Sequence, residues 1–489
     1  MSAHSTLSSW EPVIGLELHI QLNTKTKLFS RAPNRFGDEP NTNITELCVG
    51  QPGSLPVINK EAIRKAIRFA CAVGAEIPPV SLFDRKSYFY PDLPRNYQIT
   101  QFYKPICKGG TVVADVDGKK KTFQIEHAHL EDDAGMLKHF SSFAGVDYNR
   151  AGTPLIEIVS TPCICSAQEA VVYGMALKAI CEYLDISNCN MEEGNLRMDA
   201  NISVRKKGEK GLRTKTEIKN MNSFTNMEMA IEAEIRRQIG EYTSHEEEDF
   251  EEVIQQATYR WDPERKETVL MRKKEYAADY RYFPEPDLPP LKISQAFIDE
   301  IVKIQPELPY EKKQRYIKQL GLSEYSASIL VLDKKLADYF EESLAICSDA
   351  KGLCNWLTVE FAGRLKEEGI PIYNTQITSR NVAELVKMIN EKTITGKIAK
   401  LVANDMVASP TKSCHDIVKD NPAYQPLHDE HEVEKFVDAA LTQNEQSIKD
   451  YKKGKKKAFG FLVGQVMKLS QGKAPPELVN SLLKAKLNQ

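Results

Sequence analysis

Val13-Ile-Gly-Leu-Glu-Leu-His-Ile-Gln-Leu22 alternates with a period of two. Leu16, Leu18, Ile20 and Leu22 share one face of the strand this predicts, and Glu17, His19 and Gln21 share the other. The pattern returns in Arg197-Met-Asp-Ala-Asn-Ile-Ser-Val-Arg205, which aligns Arg197, Asp199, Asn201, Ser203 and Arg205. It returns again in Arg213-Thr-Lys-Thr-Glu-Ile-Lys219, which aligns Arg213, Lys215, Glu217 and Lys219. A solvated antiparallel face also alternates, but it favours Thr, Tyr and scattered Lys. Here acids, amides and guanidinium groups recur across several strands. That mixture suits a hard cation held by carboxylates and phosphate oxygens steadied by Arg or Lys.

A chain of 489 residues exceeds what one apolar core spans, so two or three domains are expected. A net charge of -3 excludes a uniformly basic nucleic-acid binder and confines any such contact to a local patch. Ten cysteines without disulfide-framework spacing fit a reducing compartment, and Cys163-Ile-Cys165 has no second pair at zinc-site spacing. The first ten residues lack an apolar core and Arg, and no run approaches the ~20 apolar residues of a membrane span. A cytoplasmic protein without membrane association is expected.

Residues 11 to about 290 mix strand signals with a few helices. Lys60 to Val73 reads as a helix stopped by Gly74, and Val112–Ile125 as a hairpin turned on Asp117-Gly118. Ser166 with Glu169 is a capping box for a helix to about Leu184, and Asn222 to about Tyr242 is a second long helix. The expected fold class is α+β with a largely antiparallel sheet. Phe283-Pro-Glu-Pro-Asp-Leu-Pro-Pro290 can continue neither a helix nor a sheet ladder. It ends a first domain at 1–292, and a second break near Ala408-Ser-Pro410 separates a helical domain at 293–408 from a helical tail at 409–489 that carries lysines from 449 to 457.

Ile125-Glu-His-Ala-His-Leu-Glu-Asp-Asp-Ala-Gly135 places His127, His129 and Glu131 on one strand face before an acidic turn. Glu157 sits among apolar neighbours in Leu155-Ile-Glu-Ile-Val159, where an unpaired buried carboxylate would be costly. Glu17, His19, Glu131, Asp132 and Glu157 could therefore converge on one Mg²⁺, with Asp133 the third acid of the turn. Tyr88, in Ser87-Tyr-Phe-Tyr-Pro-Asp-Leu-Pro94, belongs either to a packed loop or to a stacking surface for a base. No P-loop, serine nucleophile elbow or Gly- and Ser-rich amidase stretch occurs.

These segments, with Met191-Glu-Glu-Gly-Asn-Leu-Arg197, Glu217-Ile-Lys-Asn-Met-Asn-Ser-Phe224, Asp279-Tyr-Arg-Tyr-Phe-Pro-Glu-Pro286 and Phe461-Leu-Val-Gly-Gln-Val-Met-Lys468, resemble the B-subunit family of aspartyl/glutamyl-tRNA amidotransferases from about residue 10 onward. The resemblance implies a cradle-shaped catalytic domain of glutamine synthetase/guanido kinase type, then the helical and tail domains. It implies ATP- and Mg²⁺-dependent phosphorylation of the side-chain carboxylate of Glu or Asp misacylated on tRNA(Gln) or tRNA(Asn). Ammonia then displaces the phosphate, so the enzyme is a ligase forming a carbon–nitrogen bond with glutamine as amido donor. A separate amidase, the A-subunit, supplies the ammonia, and a small linking C-subunit completes a heterotrimer. Metal-site positions map onto Glu17, His19, Glu157 and the acidic turn.

Nucleotide or substrate contacts are expected at Tyr88, Arg197, Asp199, Arg205, Lys215 and Lys219, and tRNA contacts at Lys452, Lys453, Lys455, Lys456 and Lys457. The usual Glu-Glu-Asp turn reads Glu131-Asp132-Asp133 here, one methylene shorter at its centre. Met136 stands where a Lys often follows. Some relatives carry zinc-binding cysteine pairs near residues 30 to 48, of which only Cys48 remains, so no zinc is expected. A ligase acting on a free amino acid and a non-catalytic tRNA scaffold are the competing readings.

Overall fold

The computed structural model describes residues 9–245, 249–273, 279–425, 430–453 and 455–487. Contacts divide the chain into two compact units that meet at residues 312 and 313. The first is built on a nine-stranded sheet. Its strands are β1 (Trp10–Gln21), β2 (Cys107–Lys108), β3 (Thr111–Val116), β4 (Lys119–Asp132), β5 (Pro154–Ser160), β6 (Leu196–Lys206), β7 (Thr216–Lys219), β8 (Ala257–Asp262) and β9 (Glu267–Lys273). They lie in the order β9-β8-β7-β6-β1-β5-β4-β2, with β3 also paired to β4. Every pair is antiparallel except β7 with β8.

The sheet is amphipathic because its central strands alternate. Leu16, Leu18 and Ile20 are fully buried, and with Ile156, Ile158, Ala200 and Ile202 they join a core shared by three helices. Those helices are α1 (Lys60–Ala72), α2 (Ala167–Tyr183) and α3 (Phe224–Ser244). Helix α1 ends before Gly74, which has φ +64°. Ser166 caps α2 by accepting a hydrogen bond from Glu169 N at 3.1 Å. The Glu169 carboxylate reaches Cys165 N rather than the cap's own N–H, so the box closes one residue early. A Cβ on Gly174 would lie 2.8 Å from the Phe224 ring, so glycine there sets how closely α2 approaches α3. The β3–β4 hairpin turns on Asp117 and Gly118, both at positive φ, as a two-residue primed turn requires.

A three-stranded sheet (Phe283–Pro284, Asp84–Ser87, Tyr97–Thr100) packs beside β4. Arg85 clamps Glu285 through two hydrogen bonds of 2.7 and 2.9 Å, and Glu285 is only 3% exposed. The proline-rich run therefore forms part of this unit. The unit continues past residue 292, because Ile293 and Ile301 are buried in its core.

The described residues of the second unit are helical. It holds two apolar cores, one spanning Tyr316 to Tyr424 and one spanning Val433 to Leu487. No described helix is long and apolar enough to cross a membrane.

Candidate functional site

The register of the sheet stacks the polar residues of four neighbouring strands on one face. His19 of β1 lies opposite Glu157 of β5 on one side and Arg197 of β6 on the other, and Glu157 lies opposite His129 of β4. The Glu157 carboxylate lies 3.4 Å from His19 Nε2 and 3.2 Å from His129 Nε2. Glu131 lies 3.9 Å from His19 Nε2 and 3.8 Å from His129 Nε2. Ligand atoms of His19, Glu131 and Glu157 all fall within 4.8 Å of one another.

Burial disfavours charging His129, but Glu157 and Glu131 outweigh it and hold its pKa up at about 10. The same balance raises His19, with Glu157 its main anionic neighbour. Burial also opposes the charge of Glu157, and the two imidazoles reverse that and hold its carboxyl well below the usual range.

A second cluster adjoins the first. Glu17, opposite Asp199, brings its carboxylate within 4.8 Å of ligand atoms of Asp199 and Glu217. Asn201 donates to Glu17 at 2.7 Å, and the Lys219 ammonium bridges Asp199 and Glu217, the latter at 2.9 Å. Burial, reinforced by Glu157, raises the Glu17 pKa. Lys219 is raised because Asp199 and Glu217 outweigh its burial.

The sequence-predicted residues thus separate. His19, Glu131 and Glu157 come together, while Glu17 lies in the neighbouring cluster. Asp132 points the other way, as the period-two alternation after Glu131 requires. Its carboxylate is taken by Arg95 and by Ile99 N at 2.9 Å, which ties β4 to the small sheet rather than to the cluster. Asp133 returns to the polar side and meets Arg197 at 2.8 Å. Arg205 is spent on Glu11 at 2.6 Å, six residues along β1 from Glu17, or ~20 Å at strand rise. Lys215 lines a cavity of about 310 Å³ beside Glu17 and Asn201. Tyr88 packs edge-on against Tyr280 with centroids 6.3 Å apart.

Sequence reasoning missed Lys86 and left His129 out of its ligand set. Lys86 lies on Asp84–Ser87 of the small sheet. Burial would weaken its charge, but Glu131, Tyr282 and Glu157 overcome it and raise its pKa, so the carboxylates of the first cluster favour its charged form. Nothing in Arg85-Lys-Ser marks that lysine, because its neighbours are brought by other strands. His129 carried a signal, since it alternates with Glu131.

Two carboxylates and the His19 nitrogen within 4.8 Å of one another fit a divalent cation, with His129 adjoining through Glu157. Among the described residues no Lys or Arg closes an ion pair with Glu131 or Glu157, whose carboxylates meet the two imidazoles and, at Glu131, the Thr100 hydroxyl at 3.4 Å. Cys48 meets no other cysteine among the described residues. Its Sγ lies 3.6 Å from the buried Lys27 ammonium and within 3.6 Å of the Ser30 and Thr45 hydroxyls.

In the second unit, Lys452, Lys453, Lys455 and Lys457 are exposed around the turn between helices Glu445–Lys452 and Lys456–Leu469. Lys455 pairs with Asp450 at 3.1 Å, while the side chain of Lys456 lies outside the described residues.

Comparison with known proteins follows the same division of the chain. The GatB/GatE catalytic domain matches residues 12–299, and the GatB domain matches residues 338–487. The chain is 62% identical over 485 residues to the aspartyl/glutamyl-tRNA(Asn/Gln) amidotransferase B-subunit of Protochlamydia amoebophila, covering 99% of this chain and 98% of that one. It is 57% identical over 482 residues to the protein of the same name from Chlamydia abortus, covering 99% of each. The corresponding Chlamydia muridarum protein is also 57% identical, over 478 residues and 98% of each chain.

Proposed function

The chain belongs to the GatB/GatE family, and on that premise we propose that its carboxylate-lined sheet face activates the side chain of a misacylated tRNA by phosphorylation. It is one component of a tRNA-dependent amidotransferase, a ligase that makes a carbon–nitrogen bond with glutamine as amido donor. The observation that carries the phosphorylation reading is the convergence of His19, Glu131 and Glu157 beside Glu17, Asp199 and Glu217.

A carboxylate is a poor acyl donor because oxide is a poor leaving group. In the proposed reaction the side-chain carboxylate of Glu-tRNA(Gln) or Asp-tRNA(Asn) takes the γ-phosphoryl group of ATP. The resulting acyl phosphate loses phosphate when ammonia attacks its carbonyl carbon. Positioning and charge neutralisation dominate such a transfer. His19, Glu131 and Glu157 would hold Mg²⁺, with Glu17 in the adjoining cluster, and the ion would neutralise the phosphate oxygens when bound.

The protein's own cations do the rest. Lys219 screens Asp199 and Glu217, Arg197 fixes the acidic turn through Asp133, and Lys86 faces Glu131 and Glu157. These interactions keep a face rich in carboxylates from expelling an anionic substrate.

The reading extends to the finer architecture. The first unit corresponds to a cradle of glutamine synthetase/guanido kinase type, which its helix-backed antiparallel sheet supports. Catalytic, helical and tail domains are assigned in that order, the first boundary moved from 292 to about 312 and the second from 408 to beyond Tyr424. An amidase partner and a small linking partner complete a cytoplasmic heterotrimer, with no zinc. Reconstitution with those partners tests the function: Glu-tRNA(Gln), Asp-tRNA(Asn) or both are amidated only when ATP and Mg²⁺ are present. Amide formation without ATP consumption rejects the reading.

A further inference from the structure

The polar face of β1 runs into a second cavity, of about 320 Å³, just beyond His19. Side-chain amides line it, among them Gln21, Asn23, Asn188 and Asn195, interleaved with charged groups such as Arg150 and Glu193 and with the 66%-exposed ring of Phe36. Such amides offer a donor and an acceptor on one plane, the pattern that pairs with the edge of an adenine ring.

One of them is incompletely used. Asn195 is only 9% exposed and donates to Gln21 at 3.1 Å, while its Oδ1 has no hydrogen-bond partner in the structure. A buried acceptor left unpaired is costly, and a ligand amino group would satisfy it. Gln21 passes the contact on to Asp133 at 3.4 Å, which joins the cavity to the acidic turn.

The hairpin that walls the cavity with Met136 and Lys138 carries at its tip two exposed, stacked rings, Phe140 and Phe143, with centroids 4.6 Å apart. Stacked aromatics beside an exposed lysine suit a single-stranded nucleic-acid end. At the opposite end of β1, the cavity beside Glu17 is lined by Lys215, a charge suited to phosphate, and by Arg213, whose guanidinium is held by Glu209.

We infer that the amide-lined cavity receives the terminal adenosine of the substrate tRNA, with the preceding nucleotides on the Phe140–Phe143 tip. This rests on the amidotransferase reading, since the esterified amino acid hangs from that nucleoside and must reach Glu157. ATP also carries adenosine, so the test separates the two sources.

The probe is glutamate joined by an amide to 3′-amino-3′-deoxyadenosine, with the guanosine counterpart as control, in the complex reconstituted with its partner proteins. The adenosine compound should compete with Glu-tRNA at least tenfold better than the guanosine compound. Phe36→Ala, a change at an exposed ring, and Asn195→Leu should each raise the KM for Glu-tRNA about tenfold while the KM for ATP stays within twofold. A raised KM for ATP with an unchanged KM for tRNA assigns the cavity to ATP and overturns the inference. Equal competition by the two probes, or no effect of Phe36→Ala, also overturns it. If the unsubstituted complex amidates no misacylated tRNA, the functional reading fails instead.

Discussion

The Glu157 carboxylate touches two imidazoles, whereas Glu17 touches an asparagine amide and faces two other carboxylates. Both are expected to serve the phosphoryl-transfer step and neither to contact the tRNA body. Glu157→Gln, Glu17→Gln and His19→Ala should each lower amide formation by about a thousandfold or more, on the order of 4 kcal/mol of barrier, with tRNA affinity nearly unchanged. Near-normal turnover of any of these variants at saturating Mg²⁺ would remove that residue from the site.

Away from the cluster, Lys27 is fully buried with its ammonium on Cys48 Sγ and on the Tyr148 carbonyl at 3.2 Å. Burial works against the Cys48 thiolate, but Lys27 and the neighbouring hydroxyls hold the thiol below its ordinary pKa. Removing the sulfur strands a buried cation, so Cys48→Ala should cost about 2–4 kcal/mol. Adding Lys27→Met should recover much of that loss in denaturant unfolding. Two additive losses would show that the pair is not coupled.

At the scale of elements, the small sheet presents Lys86 to the cluster, and the Arg85–Glu285 clamp secures that sheet. Its partners lie 200 residues apart in sequence. Glu285→Ala leaves Arg85 with the more exposed Asp287 at 3.0 Å and should destabilise the first unit by about 2–4 kcal/mol. Amide formation should fall along with stability, because Lys86 loses its anchor. Full activity at a temperature where the variant is folded would separate Lys86 from the clamp.

The long central strands were legible because a period of two survives any tertiary context. The four-residue strand Asp84–Ser87 was not, since its register is set by Tyr97–Thr100 and Phe283–Pro284. Asp132 shows the same limit, because its neighbours in sequence are acids while its neighbours in space are Arg95 and Ile99 N.

For the whole molecule, a net charge of -3 argues for local polyanion binding, and the exposed lysines of the tail turn are the proposed patch. Lys452, Lys453 and Lys457 are the stronger candidates, since Lys455 is shared with Asp450. Removing one lysine–phosphate interaction should flatten the plot of log affinity against log salt by roughly 0.7–0.9. Neutralising these three should weaken tRNA binding clearly at ~0.1 M salt and leave ATP binding intact. An unchanged slope would return them to a solvated turn. The single chain should hydrolyse no glutamine, because it contains no serine amidase stretch. It should nevertheless amidate misacylated tRNA from free ammonium with ATP and Mg²⁺. Glutaminase activity that persists through rigorous purification would contradict this.

The sequence by itself determined the alternating strands, the helix starts near Lys60, Ser166 and Asn222, the Asp117-Gly118 turn and the family, because each rests on neighbours a few residues apart. It also singled out Glu17, Glu131 and Glu157 as candidate ligands. Only the tertiary structure decided which of them share a point in space. Strand register set His19 between Glu157 and Arg197, turned Asp132 away, and brought Lys86 and His129 in. Register depends on which strands pair, and that is fixed by the burial of the whole apolar face at once rather than by any local run of residues.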